Sequence, residues 1–114
     1  MTTGVRSFVY PVKDLAAAKA FYSGLLGVEP HTDQPYYVGF RVGDQEIALD
    51  PNGHRAGLTG TVAYWGVDDI AAHVAQLQAG GATVQQAVHD VGAGLLIAVL
   101  QDPDGNIIGL MQSP

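Results

Sequence analysis

Residues 12–17 read VKDLAA, and 55 positions later residues 67–72 read VDDIAA. Each copy follows a stretch with β-strand character and precedes apolar residues at helical spacing. Asp14 and Asp69 stand where a carboxylate accepts the free backbone N–H groups at the start of a helix. The repeat therefore predicts two copies of one strand–helix unit.

Three further strands are predicted after each helix, at residues 28–32, 36–42 and 45–50, and again at residues 82–90, 95–101 and 106–112. Two turns join the closing strands of each half, a two-residue turn at Gly43–Asp44 and a four-residue turn at Asp102–Gly105. The apolar stripe of the first helix is predicted as Leu15, Ala18, Tyr22 and Leu25. The expected fold is α+β, with two tandem βαβββ modules (about residues 1–52 and 60–114, linker 53–59) that form a curved mixed sheet with a concave ligand-binding face.

Composition excludes several classes of function. The chain has 114 residues, 47% of them hydrophobic and 14% charged, which predicts one globular domain. It contains no cysteine, so disulfides and thiolate metal sites are excluded. A net charge of −6 disfavours nucleic acid as a partner, and no apolar run approaches the ~20 residues that span a bilayer. A cytoplasmic location is expected, with neither nucleic acid nor a membrane as partner.

Two groups of motifs resemble the vicinal-oxygen-chelate superfamily, which contains glyoxalases, bleomycin-resistance proteins and dioxygenases. The opening group is Val12-x-Asp14-Leu15, Phe21-Tyr22 and Leu26-Gly27, and the closing group is Asp102-Pro103-Asp104-Gly105-Asn106 followed by Ile107-Ile108-Gly109-Leu110. The resemblance covers nearly the whole chain. It implies a homodimer in which both chains build the ligand cups.

Strand alternation predicts which residues line the ligand-binding face. One face of each hairpin is expected under the helices, and the other carries small and apolar residues that leave room for a ligand. Trp65 is included because a bulge in its strand would exchange the faces of Tyr64 and Trp65. His54 is included because its loop is expected at the rim of the ligand-binding face. The predicted ligand-binding residues are Ser7, Val9, Tyr37, Gly39, Arg41, Glu46, Ala48, Asp50, His54, Val62, Tyr64, Trp65, Gly66, Leu96, Ala98, Leu100, Ile107, Gly109 and Met111. The alternative interpretation is a face buried between two subunits.

The resemblance also implies where metal-dependent relatives hold their metal. The four ligand positions correspond to Ser7, Ala48, Val62 and Gly109, and these side chains are poor ligands or none. No metal and no cofactor are therefore expected.

Acid–base chemistry has a separate set of candidates, Glu46, Asp50 and His54, on or near the predicted ligand-binding face. The competing interpretation of Glu46 is a cross-strand ion pair with Arg41. His31 is predicted to be a solvated residue at an edge. The catalytic residues stay open.

Three functions remain. The leading hypothesis is a non-metal binding protein of the bleomycin-resistance type, which sequesters a small hydrophobic or aromatic molecule such as an antibiotic. The alternative is a glyoxalase- or dioxygenase-like lyase or isomerase with an atypical metal site or acid–base site. The third is a dimerisation or regulatory module, for which a filled cup is expected.

Overall fold

The computed structural model describes residues 2–114, which contain eight strands and two helices. In chain order these are β1 (Thr2–Pro11), α1 (Leu15–Leu26), β2 (Thr32–Gln34), β3 (Tyr37–Val42), β4 (Gln45–Asp50), β5 (Val62–Val67), α2 (Ile70–Ala79), β6 (Thr83–Asp90), β7 (Leu96–Gln101) and β8 (Ile107–Gln112). They form two compact units, a first unit of residues 6–62 and a second unit of residues 63–114 together with residues 2–5. The α+β class and the repeated βαβββ order are confirmed.

The first unit contains a mixed four-stranded sheet in the order β2-β3-β4-β1. β1 runs parallel to β4, and the other neighbours are antiparallel. The hairpin between β3 and β4 turns at Gly43, whose φ of 58° lies in the left-handed region that glycine tolerates. Phe40 therefore pairs with Ile47 and Val38 with Leu49, as predicted.

Helix α1 covers the core of the first unit. Asp14 caps it by accepting the N–H of Ala17 at 3.1 Å, which confirms the predicted start. Val38, Phe40 and Leu49 are fully buried, and the helix contributes Leu15, Ala18, Tyr22 and Leu26 to the cluster around them.

Two details of the first unit differ from the prediction. Leu25 was predicted to face the core but is 68% exposed, and Leu26 packs in the core instead. Spacings of three and of four residues both fit one helix face, and packing against the sheet selects between them. The second strand begins at Thr32 rather than at Val28. Pro30 has no N–H to donate to a neighbouring strand. Backbone hydrogen bonding to β3 begins at the next residue, where the His31 N–H donates to the Gly39 carbonyl at 2.9 Å.

The second unit repeats the arrangement with its strands in the order β5-β8-β7-β6, and β5 runs parallel to β8. Asp69 caps α2 by accepting the N–H of Ala72 at 3.1 Å. The core consists of Val67, Ile70, Ala98, Leu100 and Leu110, with the α2 residues Val74 and Leu77 packed against it.

The faces of β7 are opposite to the prediction. Ala98 and Leu100 pack in the cluster that contains the α2 residues, whereas a ligand-binding face was expected for them. The turn before β8 holds five residues instead of four, because the Asp102 N–H bonds to the Asn106 carbonyl at 2.8 Å and Gln101 pairs with Ile107. A one-residue change of register exchanges the two faces of a strand.

Neither helix in residues 2–114 has the length and apolar character that crossing a bilayer requires.

Candidate functional site

A cluster of polar side chains lies on one face of the first unit. Three strands supply it: β3 carries Tyr37, β4 carries Glu46, and His31 directly precedes β2. Strand pairing brings them together, because Gly39 in β3 is opposite both Thr32 and Ala48. The cluster thus depends on the pairing of three consecutive segments within residues 31–48.

The Glu46 carboxylate is the centre of this cluster. Its Oε1 lies 2.6 Å from Nε2 of His31, and its Oε2 accepts a hydrogen bond from the hydroxyl of Tyr37. A carboxylate only accepts, so Nε2 carries the hydrogen. In the neutral imidazole, Nδ1 is then the acceptor of the Thr32 hydroxyl, which lies 2.8 Å away. A continuous hydrogen-bonded chain therefore runs from Thr32 through His31 and Glu46 to Tyr37.

Gly39 provides the space in which these side chains converge. A Cβ atom at this position would lie 2.9 Å from Glu46 Oε2, 2.9 Å from Tyr37 Cε2 and 3.2 Å from His31 Nε2. Real side chains do not tolerate the shorter of these approaches, so any larger residue displaces the cluster. The glycine in this strand is explained by close approach of side chains rather than by backbone conformation.

The electrostatics of the cluster favour the neutral form of Tyr37. Burial raises the pKa of Tyr37 above its ordinary value, and the hydrogen bond to Glu46 and the negative charge of Glu46 raise it further. The Glu46 side chain is only 21% exposed, and Arg41 Nη2 lies 3.8 Å from its Oε1. The predicted contact between Arg41 and Glu46 is present, but His31 and Tyr37 make the closer bonds.

This arrangement has two chemical capacities. A carboxylate has about four lone-pair sites, so Glu46 retains acceptor capacity for a ligand amine or hydroxyl after its bonds within the protein. A carboxylate hydrogen-bonded to an imidazole is also a pair of side chains that can act in general acid–base catalysis.

Sequence reasoning missed His31. Its assignment to a solvated edge is wrong as to its contacts, although its side chain is 38% exposed. The signal that would have found it is Pro30, which delays β2 so that the His31 N–H bonds to the Gly39 carbonyl and Thr32 pairs with Gly39.

The other predicted acid–base residues do not join the cluster. Asp50 accepts the backbone N–H of Asn52 at 2.8 Å and so stabilises the turn that follows β4. His54 is exposed within that turn, which spans residues 51–57. The expected set of Glu46, Asp50 and His54 is therefore replaced by His31, Tyr37 and Glu46.

The remaining predicted residues of the first unit are mostly covered. Ser7, Gly39, Ala48 and Val62 are buried, and Val9 is half-buried beside Ala48.

In the second unit, the expected room above Gly109 is filled. A Cβ at Gly109 would lie 2.6–2.9 Å from ring atoms of Tyr64, so that ring occupies the space. Tyr64 is 7% exposed, and Gly66 receives the hydroxyl of Thr2 at 2.7 Å. Of the remaining predicted residues, Leu96 packs against the α2 cluster, and Ile107 and Met111 are half-buried.

Trp65 lies on the helix side of the second unit, as strand alternation predicted without a bulge. It is 39% exposed and lines an open groove of 710 Å³ beside α2. This groove lies on the opposite side of the sheet from Tyr64 and Gly109, where the open apolar space was expected.

The implied metal positions do not fit a metal ion. Ala48 and Val62 are fully buried and have no donor atom, and Gly109 lies under the Tyr64 ring. Ser7 alone offers an oxygen, and a lone hydroxyl is a poor ligand. Within residues 2–114, no three His, Asp or Glu side chains are grouped so as to hold a metal ion.

Comparison with known proteins identifies the family. The model of the glyoxalase/bleomycin resistance protein/dioxygenase superfamily matches residues 4–110. A search of the curated proteins finds no match. Among solved structures, the chain is similar to a member of this superfamily from Vibrio splendidus 12B01 (18% identity, TM-score 0.71, 98% of each chain).

Two similar structures are enzymes. One is a methylmalonyl-CoA epimerase variant from Streptomyces coelicolor (19% identity, TM-score 0.72, 99% of each chain). The other is a Mn(II)-bound glyoxalase from Novosphingobium aromaticivorans (23% identity, TM-score 0.72), of which this chain covers 39% while 97% of its own length is matched. Likeness at these identities shows the fold, and the family model shows the membership. The chain therefore belongs to the glyoxalase/bleomycin resistance protein/dioxygenase superfamily.

Proposed function

We propose that this protein binds a small hydrophobic or aromatic molecule, such as an antibiotic, without a metal, and that Glu46 receives a hydrogen-bond donor of that molecule. The carrying observation is the half-buried Glu46 carboxylate, which His31 and Tyr37 hold in one orientation above Gly39. A donor that meets a fixed carboxylate avoids the entropic cost of ordering it.

The charge balance supports a ligand that carries an amine. The chain has a net charge of −6, and the Glu46 carboxylate bonds more closely to His31 and Tyr37 than to Arg41, whose Nη2 lies 3.8 Å away. An amine that approaches the remaining acceptor site of Glu46 forms a charge-assisted hydrogen bond. An aromatic body attached to it contributes through burial of apolar area.

Thermal unfolding tests this proposal against a panel of planar aromatic amines, their neutral analogues, and Ni²⁺, Zn²⁺ and Mn²⁺. A ligand at ~100 times its dissociation constant stabilises the fold by ~2.7 kcal/mol, a shift of several degrees. We expect the amines to raise the melting temperature of the wild type. Glu46→Gln and Tyr37→Phe should each abolish that rise.

The matched control is Asp44→Asn, which removes one negative charge at the exposed β3–β4 turn and leaves the cluster intact. It should keep the shift. An amine shift that persists in Glu46→Gln, or one that Asp44→Asn removes equally, would show that net charge rather than this site binds the ligand. A shift with the metals alone would favour metal chemistry and count against the proposal.

A second candidate is an isomerase that moves a proton with Glu46. The 2.6 Å contact between His31 Nε2 and Glu46 Oε1 favours it, because an imidazole and a carboxylate in contact can pass a proton between them. The structural likeness to a methylmalonyl-CoA epimerase variant supplies a substrate to test. Incubation with methylmalonyl-CoA in D₂O should then place deuterium at the carbon next to the thioester carbonyl. A rate equal in Glu46→Gln and wild type would contradict this function.

A homodimer is also proposed. In its support, α1 exposes Phe21 and Leu25, which are 67% and 68% accessible and share one helix face at a spacing of four residues. Light scattering should give the mass of two chains, and Leu25→Glu should give the mass of one. Light scattering at about 10 µM protein is repeated at 50–100 times that concentration. A single-chain mass for the wild type at the higher concentration would refute the dimer. A cytoplasmic location remains part of the proposal.

A further inference from the structure

The groove in the second unit lies between α2 and strands β5 and β8. Its walls are mainly apolar and are formed by Trp65, Val67, Leu77, Ile108 and Leu110. The volume of 710 Å³ falls within the range of about 300–1,000 Å³ that small-molecule pockets occupy. The space therefore has the size and lining of a ligand site.

The internal repeat shows that this groove is a specific difference between the two units. Tyr10 and Tyr22 of the first unit stand 55 positions before Trp65 and Leu77. The rings of Tyr10 and Tyr22 contact each other with centroids 5.0 Å apart, and both pack against the core. In the second unit the shorter Leu77 replaces the helix tyrosine, and the face of Trp65 toward α2 stays open.

The polar groups at the groove wall have defined hydrogen-bonding roles. Nδ1 of His73 lies 2.9 Å from the carbonyl of Asp69, and a carbonyl only accepts, so Nδ1 carries the hydrogen. In the neutral imidazole, Nε2 is then an acceptor. Gln76 adds an amide, while the Thr2 hydroxyl donates to the Gly66 carbonyl at 2.7 Å. No Asp, Glu, Lys or Arg is found among the groove-lining residues of the described chain.

We propose that this groove is a second binding site, separate from the Glu46 cluster, for a flat uncharged aromatic molecule with a hydroxyl group. The ring lies against Trp65 and Leu77, and the hydroxyl donates to Nε2 of His73. Groove-lining residues without Asp, Glu, Lys or Arg favour an uncharged ligand, because a charged one would lose its hydration without an ionic partner. The inference does not depend on the function proposed for Glu46.

The test compares 2-naphthol with 2-methoxynaphthalene, which has the same ring but no hydroxyl hydrogen. Titration calorimetry should give one site per chain for 2-naphthol, with a dissociation constant on the order of 0.1 mM. The ether should bind about tenfold more weakly, because it leaves the acceptor of His73 unpaired. His73→Ala should abolish that difference.

Leu77→Tyr is the filling variant, since it restores the residue type that the first unit has at this position. We expect it to weaken 2-naphthol binding by at least about tenfold. Gln78→Tyr is the matched control, because it adds the same side chain to an exposed position of α2 outside the groove. Trp65 is the only tryptophan, so its emission in the absence of ligand reports whether another subunit covers the groove as the protein concentration rises.

Three results would overturn the proposal. The first is equal binding of 2-naphthol by wild type and by a folded Leu77→Tyr. The second is equal binding of the alcohol and the ether by wild type. The third is a Trp65 emission that shifts with protein concentration while no ligand binds, which would assign the groove to a contact between subunits. His73→Ala keeps the test decisive if Leu77→Tyr does not fold.

Discussion

Replacing Gly39 by alanine tests the geometry of the candidate site most directly. The backbone of Gly39 needs no positive φ, so alanine is compatible with the strand itself. The new Cβ would nevertheless lie 2.9 Å from Glu46 Oε2 and 3.2 Å from His31 Nε2. These atoms are the ends of flexible side chains, so the expected response is displacement of the cluster with the fold retained.

The expected loss of stability is small and follows from the contacts. Displacement removes the bonds of Glu46 to His31 and Tyr37, worth about 1 kcal/mol each for partly exposed groups. Alanine regains about 0.5–1 kcal/mol because glycine loses more backbone freedom on folding. We therefore expect a net destabilisation of about 1 kcal/mol, equivalent to a melting temperature lower by roughly 3–5 °C.

Titration of Tyr37 is the decisive assay, because its raised pKa depends partly on Glu46. Ultraviolet difference spectra of Gly39→Ala, with those of Tyr37→Phe subtracted, should show the Tyr37 pKa falling toward its ordinary value. Gly60→Ala is the control, since nothing lies within 4 Å of its Cβ position. The reasoning is refuted if the Tyr37 titration and the melting temperature of Gly39→Ala both equal those of the wild type.

Three further substitutions test the structure elsewhere. Gly109→Ala should destabilise by about 1–3 kcal/mol in urea unfolding, because its Cβ meets the Tyr64 ring at 2.6 Å; an unchanged midpoint would contradict that packing. Asp102→Ala should lower stability at pH 7. Hydrogen bonds from Asn106 lower the pKa of Asp102 below 3.8, so its contribution is full above that pH and declines as the pH falls through the lowered value; a loss that does not change between pH 7 and pH 2 would contradict it. Gly24→Ala should raise stability by about 0.8–1 kcal/mol, because the position is an open site within α1, and circular dichroism melting would show any failure to do so.

Local signals predicted most of the fold. Asp14 and Asp69 mark both helix starts, and the two-residue turn at Gly43 sets the pairing of β3 with β4. Each of these features involves residues within a few positions of one another, so its physical cause is readable from a short stretch of chain. The predicted register of the β7–β8 hairpin was wrong although it rested on the same kind of local signal. The Asp102 N–H bonds to the Asn106 carbonyl and lengthens the turn by one residue.

The candidate site was only partly predictable. Alternation along β3 and β4 placed Tyr37, Gly39 and Glu46 on one face, and the structure joins Tyr37 to Glu46 and places both side chains against Gly39. His31 was missed because its position depends on where a three-residue strand begins to pair. Small residues were expected to leave a cavity, yet aromatic or acidic side chains of the same sheet fill the space above Gly39 and Gly109.

The sequence by itself determined the repeat, the helix caps, the superfamily and the lack of donor atoms at the implied metal positions. Tertiary structure alone decided that His31 meets Glu46 and that β7 turns Ala98 and Leu100 toward α2. It also decided that the open groove lies beside Trp65. The physical reason is that periodicity states which residues share a face, whereas one residue of register, or one side chain of different length, decides which face is covered and what fills it.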